Sequence, residues 1–97
     1  MARFDTYRLG DTLLLDVQAD LLDGLNSRMV VPLMPLDNAP KPADRLNPVF
    51  SIGESDFVMV TQYMAAVPIR ELGQPVGSLA HDFERIRAAL DMLFDGF

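Results

Sequence analysis

His81 is the only histidine in this 97-residue chain, and Ser78 stands three residues before it. A serine and a histidine one helical turn apart could act as nucleophile and base if a third group oriented the imidazole. No orienting group is evident nearby, and the pair reads more simply as a helix start, with the Ser78 hydroxyl satisfying a free first-turn N–H. The chain has no cysteine, which removes thiolate catalysis and any disulfide framework. One histidine falls well short of the roughly four N or S ligands of a zinc site. Asp16 with Asp20, and Glu54 with Asp56, form carboxylate pairs in turn-like or surface settings, and nothing sets them opposite one another across a substrate. Gly73 and Gly77 have GxxxG spacing, but they flank Gln74-Pro75 in a polar stretch rather than lying in a membrane helix. There is no P-loop and no GxGxxG. The residues point to a binding protein, with no cofactor or metal expected.

Charge narrows the choice of partner. Eight basic residues face fourteen acidic ones, a formal net charge of −6. Gripping DNA or RNA directly needs clustered Lys and Arg, whereas here they are scattered and the densest pair is Arg85 with Arg87. A basic protein surface suits the chain better than a nucleic acid. No apolar run reaches the roughly 20 residues that span a bilayer; the longest, around Met29 to Leu36, is broken by Pro32 and Pro35. The amino terminus is polar and does not resemble a signal peptide. These features predict a cytoplasmic chain that engages no membrane. At this length, one hydrophobic core and a single domain over 1–97 are expected. The six methionines read as core filler.

The elements that must position any site follow from local pattern. Short β-rich runs occur at Phe4 to Tyr7, Leu13 to Ala19, Arg28 to Leu33, Pro48 to Ile52 and Phe57 to Met64. Gly10-Asp11, Asp23 to Asn26 and Gly53 to Asp56 read as the turns between them. Pro32 has no N–H to donate, so it is expected to end its ladder or lie at an edge. Residues 35–47 hold three prolines and read as a loop. Gly73-Gln74-Pro75 reads as a tight connection between short strands around Val67 to Ile69 and Val76. The period then changes: Leu79, Phe83, Ile86, Leu90 and Leu93 recur at spacings of three and four, the apolar stripe of a helix that Gly96 would stop. Strands followed by one helix make a mainly β fold, a small barrel or sheet with the helix on one face.

Several blocks carry a resemblance to a known family. Leu15-Asp16-Val17-Gln18-Ala19-Asp20-Leu21-Leu22-Asp23, with Arg28-Met29-Val30-Val31-Pro32-Leu33, resembles the opening of the CcdB toxins. Leu46 to Glu54, Met64 to Ile69, Leu79-Ala80-His81, and Leu90 to Phe94 with Gly96 match later segments in order and at near-fixed spacing. The similarity spans nearly the whole chain, apart from its start and the loop from Pro35 to Arg45. It implies an SH3-like, partly open barrel with a C-terminal helix, as in the CcdB, MazF and Kid toxins, assembled as a symmetric homodimer in the bacterial cytoplasm. It implies the toxin of a toxin–antitoxin pair, one that binds the A subunit of DNA gyrase, traps it on cleaved DNA and is neutralised by a CcdA-like antitoxin. No bond chemistry by the toxin is implied.

The implied gyrase contact is the carboxyl terminus, here Asp95, Gly96 and Phe97. The best-known members end in Trp-Gly-Ile. Gly96 matches and Phe97 keeps the end apolar, but Asp95 cannot stack as tryptophan does. Two alternatives stay open: a MazF/Kid-like endoribonuclease, which the scattered basic residues disfavour, and a non-toxic homologue that still binds antitoxin, which Asp95 favours. For the dimer, the helix stripe is expected to pack on the barrel and leave Ala88, Ala89 and Met92 nearer a second surface.

Overall fold

The computed structural model describes residues 2–96. Strand β1 (Asp5–Leu9) and strand β2 (Thr12–Asp16) form a hairpin, turned at Gly10 with φ 61°, where a side chain would be strained. Phe4 lies outside β1 with φ 74°; its N–H donates to the Asp16 carbonyl at 2.7 Å, so the ladder continues past this strained residue. Strand β3 (Ser27–Pro35) is the longest and the hub. It pairs β2 along one side, and on the other it pairs first β6 (Ala65–Pro68) and then β5 (Ser55–Met59).

That change of partner corrects the expectation for Pro32. The proline sits inside β3, opposite Leu14. Its carbonyl accepts from Val60 N–H at 3.0 Å, and a strand residue points its N and its C=O to the same side. The missing N–H therefore faces the junction where β6 stops at Ala65 and β5 begins at Met59, so no ladder bond is lost.

Strand β4 (Val49–Ile52) joins β5 through a turn at Gly53, φ 65°. The expected tight connection around Gly73 to Pro75 is different in the structure. A single 3-10 turn (Ile69–Glu71) follows β6, and the chain then crosses to place β7 (Gly77–Ser78) against β1. Gly77 permits this approach, since a Cβ there would lie 3.0 Å from the Thr6 hydroxyl. The sheet order is β4-β5-β3-β2-β1-β7, with β6 also on β3. It curls into a partly open, SH3-like barrel with one helix, α1 (Phe83–Asp95), as expected for a mainly β fold.

Two cores result. The larger contains Leu13, Leu15, Val31, Leu33, Phe50 and Met59, closed by Leu79, Ile86 and Ala89. The smaller lies on the other face, with Tyr7, Leu14, Val30 and Leu72. Successive β2 side chains alternate between the two, so the strand is buried on both faces and reads as a nearly continuous apolar run.

Candidate functional site

The end of α1 lies beyond the part of the helix that packs on the core. Ile86 and Ala89 are fully buried and Leu90 partly so, whereas every residue from Asp91 to Gly96 is exposed. The apolar stripe holds only in the middle: Phe83 and Leu93 are exposed, and Ala89, expected nearer a second surface, is buried in the core. Ala88 is half-buried, and Met92 is exposed as expected. Phe94 is 69 % exposed, beside exposed Met92 and Leu93, and Arg45 reaches Met92 Sδ at 3.5 Å. Met92, Leu93 and Phe94 thus form a run of exposed apolar side chains in the last turn of the helix.

Gly96 ends the helix in the left-handed region at φ 82°, its N–H donating to the Met92 carbonyl at 3.1 Å. This is the stop anticipated from the sequence. Asp95 is the last helical residue and is exposed. No basic residue occupies the last turn to offset its charge at the negative end of the helix dipole. Phe97, the third member of the expected contact, lies outside the described residues.

The residues weighed for catalysis are not brought together. The Ser78 hydroxyl accepts from Ala80 N–H at 3.1 Å and so shapes the 3-10 turn (Ala80–Asp82), while α1 itself starts at Phe83. His81 is 72 % exposed and its Nε2 lies 3.2 Å from the neighbouring Asp82 carboxylate. Asp20 accepts from the Arg3 N–H and Asp56 from the Ser51 hydroxyl. No cluster of His, Cys, Asp or Glu suited to a metal ion occurs among the described residues.

Two features went unread in the sequence. The first is an apolar turn: Leu21 is 94 % exposed, with Leu22 and Leu25 about half exposed and Met29 beside them in sequence. Three leucines between Asp20 and Asn26, in and just before the expected turn at Asp23 to Asn26, were the available signal. The second is the ionic anchor beneath it. Arg28 is fully buried and donates from Nε to Asp16 Oδ2 at 2.8 Å, with Nη2 2.6 Å from the same oxygen. Its Nη1 reaches Asp23 at 2.9 Å. Asp16 also accepts from Gln18 N–H at 3.0 Å, and the Gln18 amide spans from Met29 N–H to the Leu22 carbonyl. Burial pushes the Asp16 carboxyl above its ordinary range, against the opposing pull of Arg28. Burial, helped by Asp5, also raises the Tyr7 phenol, whose OH has no hydrogen-bond partner among the described residues.

The order and spacing of these elements coincide with one known family, whose model, described as CcdB protein, matches residues 3–96. The chain belongs to the CcdB family. Membership places it among the toxins of toxin–antitoxin systems. The partly open barrel and single C-terminal helix fit that family's fold. Among the described residues, no helix is long and apolar enough to cross a membrane.

Proposed function

We propose that this CcdB-family chain poisons DNA gyrase by holding its A subunit with the end of α1, and that a CcdA-like antitoxin reverses the grip. The observation that carries this reading is the last turn of the helix, where Met92, Leu93 and Phe94 are left solvated by a barrel that buries only the middle of α1. Such an end is available to a partner without any unfolding of the core. Gly96, already in the left-handed conformation, lets the chain leave the helix at low backbone cost toward Phe97. The net charge of −6 favours a protein partner over bare nucleic acid. The exposed leucines of the 20–25 turn and the apolar helix end also support a homodimer, which would hide some of this surface and present two helix ends about one axis.

The test is gyrase-linked DNA cleavage and supercoiling, comparing the intact chain with one lacking Gly96 and Phe97. The intact protein should trap cleaved DNA, and the truncated one should fold by circular dichroism and trap none. Undiminished poisoning after truncation would remove the helix end from the site. A second reading, a homologue that binds antitoxin but does not poison, is favoured by one observation, the uncompensated carboxylate of Asp95 where the family's best-known members carry tryptophan. It predicts antitoxin binding with no cleaved DNA from either protein.

A further inference from the structure

The sheet does not close on itself. Its first and last strands in spatial order, β4 and β7, are both edges, and both line the same open cleft of about 450 Å³. That volume lies within the roughly 300–1,000 Å³ of typical ligand sites: room for a short extended segment, too little for a folded domain.

The hydrogen-bond parity of each edge shows what it offers. Met59 N–H donates to the Pro48 carbonyl at 3.0 Å, so the bonded pairs along β4 are those of Phe50 and Ile52 with β5. The backbone groups of Val49 and Ser51 then point away from β5. The Val49 carbonyl is taken by Arg85 Nη2 at 2.6 Å, which confirms the direction and leaves Ser51 as the open position. On the opposite wall, Leu79 N–H donates to the Phe4 carbonyl at 2.8 Å, so Ser78, opposite Asp5, turns its N–H and C=O away from β1. Ser51 and Ser78 both line the cleft.

The side chains specify charge. Phe57 and Leu79 contribute apolar surface, and among the described residues the only ionisable groups lining the cleft are Arg8 and His81, on a chain whose net charge is −6. His81 already leans on Asp82, while Arg8 has no ion-pair partner among the described residues.

We infer that an extended, acidic segment of the antitoxin inserts between β4 and β7, pairing its backbone with Ser51 and Ser78 and placing a carboxylate on Arg8. This would complete the barrel by strand addition, a recognition mode in which main-chain bonds give affinity and side chains give specificity. It rests on the proposed neutralisation by an antitoxin, and it sits on a different surface from the end of α1.

The probe is the tail of the CcdA-like antitoxin from the same genome, made as a free peptide, with a second version whose Asp and Glu are replaced by Asn and Gln. Titration calorimetry on the full-length toxin measures binding, and hydrogen exchange reads the Ser51 and Ser78 amides. The expected results are protection of both amides and a loss of roughly tenfold or more in affinity for Arg8→Glu, for Ser51→Pro and for the neutral peptide. Ser51→Pro removes an N–H that faces the cleft together with the hydroxyl bond to Asp56, for which Ser51→Ala is the control, and Arg8→Glu alters an exposed side chain, so one tests the inference should the other misfold. Unchanged affinity in folded variants, or amides that exchange as fast as in the free toxin, would overturn it. A tail that fails to bind the unaltered toxin would overturn both this inference and the antitoxin half of the proposed function. Gyrase cleavage is scored separately, so failure of the gyrase reading alone would leave the binding result standing.

Discussion

Truncating Arg28 should cost more stability than any other change of a charged side chain in this protein. Both Arg28 and Asp16 are fully buried, and the guanidinium approaches one carboxylate oxygen through two nitrogens at 2.8 and 2.6 Å. Arg28→Ala leaves the fully buried Asp16 carboxyl without its partner, a situation worth about 3–5 kcal/mol of destabilisation. The bond to Asp23 adds little, because that carboxylate is 54 % exposed and such pairs contribute no more than about 1 kcal/mol. Domains of this size have about 5–15 kcal/mol in total, and each kcal/mol moves the midpoint by about 4–8 °C. The variant should therefore melt at least about 12 °C lower. Replacing both partners, Arg28→Met with Asp16→Leu, removes two desolvation costs together and should return stability to within about 1–2 kcal/mol of the parent. Urea unfolding at pH 7, followed by far-ultraviolet circular dichroism, measures Arg28→Ala and the four corners of the cycle formed by the parent, Arg28→Met, Asp16→Leu and the double variant. A loss below about 1 kcal/mol for Arg28→Ala, or a double variant as unstable as the sum of the singles, would refute the reasoning. Arg28 also holds the 20–25 turn through Asp23, so the truncated variant should associate more weakly if the leucines of that turn lie in the dimer interface.

Three further outcomes are expected. Because burial raises the Asp16 carboxyl in the folded state, its contribution is full below the ordinary carboxylate pKa of about 4 and declines as pH rises through the raised folded value. Relative to Asp16→Asn, the parent should lose stability over that window and then level off, and a difference that instead grows with pH would contradict the burial argument. Asp95→Trp should stabilise the chain by about 0.3–1 kcal/mol, since it removes an uncompensated charge from the helix C-terminus. The same variant should bind gyrase of the best-studied kind roughly 2- to 30-fold more tightly if the new ring stacks on a cation; surface plasmon resonance would expose a lack of gain. At micromolar concentration, light scattering should return twice the chain mass, and a clean monomer would remove the homodimer from the proposed function.

Local pattern alone determined a large part of this molecule. Gly10 and Gly53 mark hairpins because each turn needs a positive φ, and that requirement is met within a few residues. The three-and-four spacing that ends in Gly96 specifies a helix and its stop for the same reason. The ordered blocks from Leu15 to Phe94 carry the family likeness, and with it the helix end as the place to look. Tertiary structure decided what local pattern cannot measure. Periodicity says which face of α1 is apolar but not how far the sheet beneath it extends, so Ile86 and Ala89 are buried while Leu93 and Phe94, equally apolar, are left to water. Pro32 is harmless inside β3 only because β6 and β5 change places beside it. Arg28 looked like one scattered cation among eight, yet it is fully buried with Asp16, because folding brings the two together across twelve residues of chain. That β7 pairs β1, and so faces β4 across an open cleft, depends on the closure of the whole sheet, a contact between segments too distant in the chain for local spacing to encode.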